Sequence, residues 1–375
     1  MTSPVETPLP ENFLDQAEGS WTLPSFWYTD LEIFAREKEK IFYKNWWYVG
    51  AASQVSKPGE FLTATVVDQD IFVIRGGDQI LRAFYNVCRH RAHQLVHGRG
   101  CNRMLVCPYH GWTYDIEGRL KGGRNLEGMK NFDRRDFGLV AVRVETLAGL
   151  VFVNLDTDAV PLADISRSMI KDMRAHCPGL DDLVLARQHE LETAANWKTL
   201  VDNDLESYHS AAAHPSLMGL LDYSSFEVWE DQWTTCHAMS SANPENPAYP
   251  VDTNDPVKRA IYTWLWPNTA FFVAPGGSNL GVFQMIPTGP ESSIQRWDFY
   301  FENEQPSERE QAYLDWTIDT LIPEDTALYE NVQRGLRSRG YSQGRFVIAR
   351  DRPEWSEHHV HQFQKLVRDA LLADS

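Results

Sequence analysis

Cys88-Arg89-His90, then sixteen residues, then Cys107-Pro108-Tyr109-His110-Gly111-Trp112, is the stretch that decides how this chain is read. Each half offers one cysteine and one histidine. Zinc sites usually group two cysteines and then two histidines. A [2Fe–2S] centre with thiolates on one iron and imidazoles on the other needs two of each ligand. A Cys-x-His and a Cys-x-x-His on facing hairpin loops deliver that set. Cys107-Pro108 and His110-Gly111 carry turn chemistry, which suits loops whose backbone N–H groups face cluster sulfurs. Imidazole ligation raises the potential above that of all-thiolate clusters, so such a centre relays electrons. His93, His97 and Cys101 fall between the two halves and read as loop residues.

Outward from these loops, short β-rich runs recur at 46–49, 61–67, 71–75 and 81–85. Pro58-Gly59 and Gly76-Gly77-Asp78 separate them as turns. Two more runs, at 139–144 and 150–154, complete a small all-β domain over 45–155. Residues 1–44 form an N-terminal segment, helical over 30–43, expected to pack on the domain that follows the β domain. That domain, 156–375, has helical patterns at 162–175, 198–214, 310–320 and 324–339, and strand patterns at 183–193 and 260–302. The expected fold class is α+β, with an antiparallel sheet in the second domain.

At 375 residues the chain exceeds the ~100–200 residues of a typical domain. Its 43% hydrophobic and 23% charged residues exclude a disordered, collagen-like or disulfide-stapled chain. A net charge of −17 argues against nucleic acid or a membrane surface as partner. The first 25 residues lack the basic start and apolar run of a targeting segment. The longest apolar stretch, near 147–155, is far short of the ~20 residues that span a bilayer. Five cysteines, an odd and sparse set, fit a reducing cytoplasm. No glycine loop of the dinucleotide or Walker type stands between a strand and a helix, so NAD(P) has no direct site.

A second concentration of ligands lies at His209 and His214. Two histidines and a carboxylate with open positions suit non-haem Fe(II) that binds O2. On an ideal helix, residues five apart are about 140° around the axis. The two imidazoles converge only if the helix is widened or broken, and a π-type turn is expected there. For the carboxylate, Pro323 opens a helix whose apolar stripe runs through Leu328, Val332 and Leu336. Asp325 falls within that stripe, and a buried acid wants a partner. Asp325 is the expected third ligand, with Glu324 and Asp319 as weaker candidates.

The paired loops resemble the Rieske signature, and residues 45–155 resemble a Rieske domain throughout. Asn196-Trp197-Lys198, followed by Glu206-x-x-His209-x4-His214, resembles the α-subunit of Rieske non-haem iron oxygenases, a likeness covering about 40–365. The resemblance implies a helix-grip-like catalytic domain, a cluster on Cys88, His90, Cys107 and His110, and mononuclear Fe(II) on His209, His214 and Asp325. It implies O2 as oxidant and a separate flavin/iron–sulfur reductase that brings electrons from NAD(P)H. It also implies a homotrimer (α3), in which His110 of one subunit passes electrons through Glu206 to His209 of the next. Glu206 stands where most members have aspartate.

That glutamate, the length and the stretch from Pro323 to Tyr341 are similar to the quaternary ammonium subgroup, with carnitine monooxygenase and glycine betaine demethylase. A trimethylammonium group has no hydrogen to donate and is held by aromatic faces. Tyr262, Trp264 and Trp266 alternate along a strand pattern, and one face of it could form a cage. Asp204 stands where relatives in this subgroup often have tyrosine; it could attract a cation or mark a different substrate. Hydroxylation next to nitrogen implies N-demethylation or C–N cleavage. The near rival is an aromatic-ring hydroxylating or O-demethylating Rieske oxygenase. A pure electron carrier would need only the first constellation.

Overall fold

The computed structural model describes residues 10–241 and 245–373. Residues 1–9 of the N-terminal segment lie outside them. The chain forms two compact units: Phe42–Leu162, and a second in which the segment before Phe42 joins the chain from Ala163 onward.

In the first unit, alternating β-branched and aromatic residues build a seven-stranded antiparallel sheet. Its order is Trp47–Ala51, Leu150–Asn154, Ala141–Leu147, Leu81–Tyr85, Gln69–Arg75, Glu60–Val66 and Arg99–Cys101. Ile71, Phe72, Val73 and Ile74 are wholly buried, so this central strand is covered on both faces. A smaller sheet, Met104–Val106, Thr113–Asp115 and Leu120–Gly122, carries the second cysteine–histidine loop between its first two strands. Gly59 is required at its turn: φ is +86°, and a Cβ there would sit 2.5 Å from the Asn102 carbonyl oxygen.

The second unit is built on another seven-stranded antiparallel sheet. Its order is Val184–Thr193, Ser292–Phe301, Asn279–Gly289, Thr269–Val273, Arg259–Leu265, Thr234–Ser241 and Leu221–Glu230. The fold class is therefore α+β, as the strand patterns implied. The strands at 221–241 and the C-terminal helix His358–Leu372 carried no sequence reading. No helix among the described residues is long and apolar enough to cross a membrane.

The expected helix over 198–214 is not continuous, and no π-type turn lies within it. Helix Trp197–Asp204 stops at Leu205, Ser210–Ala213 makes one further turn, and His214 leaves helical geometry at φ −123°, ψ 70°. Pro215 supplies the reason, because proline drives the residue before it out of the α region. A π-type turn forms instead at Thr317–Leu321, directly before helix Ile322–Leu336. That helix buries Ile322, Tyr329, Gln333 and Leu336, while Val332 is exposed. Its inward stripe is thus displaced from the one expected, yet Asp325 still lies on it by the 3.6-residue period.

Helix Trp197–Asp204 begins with an Asn196 cap, whose side chain accepts from the Lys198 N–H at 2.8 Å. Lys198 then buries its ammonium wholly against Glu37 from the N-terminal helix Leu31–Glu37. The Trp197 indole donates to the same carboxylate at 2.9 Å. Burial pushes Glu37 up and Lys198 down, and their contact opposes both changes. Losing one member of a buried pair costs about 3–5 kcal/mol. Lys198→Met is therefore expected to lower the urea midpoint of this unit, and adding Glu37→Gln to recover part of the loss. An unchanged midpoint in the single variant would show that the pair contributes nothing.

Candidate functional site

Cys88 and Cys107 are buried free thiols, whereas His90 is exposed and His110 half-buried. The two imidazole rings lie 4.7 Å apart, and His90 stacks on Trp112 at 4.9 Å. Tight turns shape both loops: Ala92 N–H donates to the Cys88 carbonyl at 3.0 Å, and Gly111 N–H to the Cys107 carbonyl at 2.9 Å. The Tyr114 hydroxyl lies 3.4 Å from Cys88 Sγ and accepts from the Arg89 N–H at 3.0 Å. Two inward thiols and two outward imidazoles on facing loops fit the donor set of a [2Fe–2S] cluster with mixed ligation. Cys101 is exposed on the strand Arg99–Cys101, outside that set.

In the second unit, the chain break brings His209 and His214 together. Their Nε2 atoms are 3.1 Å apart, and Asp325 Oδ1 lies 3.0 Å from His214 Nε2 and 3.6 Å from His209 Nε2. The other ring nitrogens are committed outward. His209 Nδ1 bonds Glu206 Oε1 at 2.6 Å, and His214 Nδ1 bonds Glu324 Oε2 at 2.8 Å. An ionised carboxylate only accepts, so both Nδ1 atoms must donate. In the neutral rings both Nε2 lone pairs then face each other and a carboxylate oxygen, an arrangement that suits a shared cation. Bonds to Asp325 and Glu206 outweigh burial and hold the His209 imidazole up at about 10, so a cation binding there would displace its Nε2 proton. These three groups fit a mononuclear metal with two imidazoles and one carboxylate, oriented by Glu206 and Glu324.

The three groups open onto a cavity. Nine aromatic residues line it. Tyr249 sits edge-on to Tyr313 at 5.1 Å, and Phe272 contacts Tyr262 and Trp297 at 6.4 and 5.6 Å. Asp204 is also in the wall, its carboxyl pushed up to about 7 by burial and then by the Asp325 charge. Among the described lining residues there is no lysine or arginine.

Of the residues expected to form a cage, Tyr262 lines this cavity. Trp264 and Trp266 do not: both are buried against Phe363 of the C-terminal helix, at 5.5 and 6.2 Å. That helix covers their end of the sheet, and nothing in the strand pattern announced it. Glu324 reaches the outer nitrogen of His214, and Asp319 is exposed in the π-type turn. Tyr249, Phe272, Trp297 and Tyr313 also line the cavity; they come from a loop, two strands and the helix Glu308–Trp316, and no local motif joins them.

A model of the Rieske [2Fe–2S] domain matches residues 45–133, and one of the ring hydroxylating α-subunit catalytic domain matches 180–373. The chain belongs to the Rieske oxygenases, enzymes that combine such a cluster with a mononuclear iron and use O2. It is 36% identical to the carnitine monooxygenase oxygenase subunit of Acinetobacter pittii, over 96% of this chain and 97% of that one. It is 31% identical to the chloroplastic choline monooxygenase of Beta vulgaris, over 92% of this chain and 76% of that one. A solved quaternary ammonium Rieske monooxygenase, described for carnitine oxidation and inter-subunit electron transfer, superposes with a TM-score of 0.90 at 35% identity. It covers 98% of this chain and 100% of its own.

Hydrogen bonds to a cluster's ligand sulfurs raise its reduction potential. Tyr114→Phe is expected to lower the cluster midpoint by on the order of 60 mV, about 1.4 kcal/mol for one electron. Spectroelectrochemistry reads this directly, and an unmoved midpoint would mean that the 3.4 Å contact does not bear on the cluster.

Proposed function

We propose that the chain is a terminal oxygenase that oxidises a quaternary ammonium compound or betaine by hydroxylating the carbon beside nitrogen. One observation carries the substrate class: the cavity offers many aromatic faces and several carboxylates, and no lysine or arginine among its described lining residues. A cation over an aromatic face gains about 0.5–2 kcal/mol. A cation beside Asp204 would draw its raised carboxyl back toward the ionised form, and needs no N–H to do so. A neutral aromatic substrate would use the rings but would gain nothing from the acids. Similarity to the carnitine and choline monooxygenases points the same way.

In this reading Cys88, Cys107, His90 and His110 hold the cluster, and His209, His214 and Asp325 hold the iron. When bound, these groups supply single electrons and the activation of O2. Glu206 holds His209 by two contacts, Oε1 to the ring and Oε2 from the backbone N–H at 3.0 Å. It thereby fixes the ligand and offers a bonded bridge toward His110 of a neighbouring protomer in a trimer. Electrons come from a separate NAD(P)H-dependent flavin/iron–sulfur reductase. The hydroxylated carbon then releases amine and aldehyde, giving N-demethylation or C–N cleavage. Five free cysteines suit a cytoplasmic setting.

The direct experiment mixes iron-loaded protein, its cluster chemically reduced, with betaines and one aromatic acid under O2. Amine and aldehyde from a betaine, read by mass spectrometry, are expected; product from the aromatic acid alone would overturn the substrate class. Asp325→Ala is expected to lose the mononuclear iron while the cluster's visible absorption stays. Full iron content in that variant would remove Asp325 from the ligand set. Glu206→Gln is expected to keep both centres and lose about 10–100-fold in turnover, the usual cost of removing a ligand's orienting partner. Wild-type turnover would remove Glu206 from the route.

A further inference from the structure

A second group of ligand-type side chains lies apart from His209, His214 and Asp325, where the end of the edge strand Leu221–Glu230 meets the first turn of the C-terminal helix. Glu230, His358 and His359 each offer one ligand atom, and these atoms lie within 4.8 Å of one another. His359 is buried and His358 half-buried, while the Glu230 side chain is 47% exposed, so the group can be reached from solvent. The two imidazole rings stand 4.2 Å apart and 55° from parallel, which brings successive helix residues beside the same carboxylate.

The contact between His359 and Glu230 decides what the group can do. His359 Nε2 lies 3.0 Å from Glu230 Oε2, but the two are not aligned as a hydrogen bond. Burial, and then the His358 charge, hold His359 down at about 3, so its ring is neutral and carries a lone pair. Its Nδ1 is engaged with His237 Nε2 at 2.8 Å. Two donors bound to one Zn2+ at about 2.0–2.2 Å, roughly 90–110° apart, stand about 3–3.5 Å from each other. The misaligned 3.0 Å contact is thus the spacing of two ligands of one ion. In addition, His358 Nδ1 is buried without a hydrogen-bond partner among the described residues, and such a group wants one.

Two features oppose a cation here. The start of a helix carries partial positive charge, and Arg350, whose charge lowers His358, lies nearby, paired with Glu18 at 2.5 Å. A hard ion held by carboxylate charge alone gains little in such a place. An ion that bonds imidazole strongly overcomes both.

We propose that Glu230, His358 and His359 form a second metal site, which takes a divalent ion of the zinc class with water completing its shell. The ion joins the end of the edge strand to the start of the C-terminal helix. With Nε2 on the metal, His359 carries its ring proton on Nδ1 and donates it to His237 Nε2, the partner that fixes a ligand's orientation. His237 lines the cavity, so one hydrogen bond separates this site from the cavity wall.

The test titrates Zn2+ into the full-length protein with its cluster and iron in place, and counts bound zinc and iron together by elemental analysis after equilibrium dialysis. One zinc per chain is expected beyond the retained iron, with a rise in melting temperature. Asp325→Ala is expected to keep that zinc, which separates it from the catalytic centre. Glu230→Gln, a surface change, and His358→Gln are each expected to weaken zinc binding about tenfold or more, with cluster spectrum and iron content unchanged. No zinc beyond the iron site would overturn the proposal. Zinc bound equally well by the wild type and by both variants would mean an adventitious ion only, and would overturn it as well.

Discussion

Two imidazoles whose outer nitrogens are each held by a carboxylate must turn their lone pairs toward each other. The 3.1 Å between His209 Nε2 and His214 Nε2 is therefore the constraint around which the second unit is organised. A continuous helix could not place both rings there. The chain stops at Leu205, turns once more and leaves the helix at His214, ahead of Pro215. Glu206 and Glu324 then fix the rings from behind, and Asp325 closes the set from a helix that starts after a π-type turn. Each local irregularity serves that convergence.

The cavity above this centre works by a different balance. Its rings exclude water and offer negative faces, and its acids sit where burial makes charge expensive. A cation relieves both conditions at once, whereas a second anion would worsen them.

Much of this was legible in the sequence. The Cys-x-His and Cys-x-x-His spacing carries its meaning locally, since ligands on one short loop need no distant help. His209 and His214 could be picked out, and the need for a break between them follows from helix geometry alone. The kind of break did not follow, although Pro215 is the residue that enforces it at His214. Asp325 could be placed on an inward stripe, but that stripe was drawn through Val332 rather than Tyr329 and Gln333. One-residue shifts of this kind are invisible until the partner surface is known. Trp264 and Trp266 failed for the same reason: alternation tells which residues share a face, not what covers it. His237 and His359, hydrogen-bonded in the fold, are 122 residues apart in the chain and carry no motif. Only tertiary structure joins them.

The buried Lys198–Glu37 pair has a consequence for how the molecule is made. Its members are 161 residues apart, and the whole cluster-bearing unit lies between them in the chain. During synthesis Leu162 leaves the ribosome before Lys198 does, so the cluster unit is complete while Glu37 still lacks its counter-charge. Domains generally fold as units in the order they emerge. The cluster unit thus matures as an insertion within an unfinished neighbour, and its compact fold shortens the loop that the ion pair must close. Closure entropy grows with the effective length of a flexible loop. A prefolded insertion therefore brings the two ends of the iron-binding unit together at lower entropic cost than an unstructured linker of equal length.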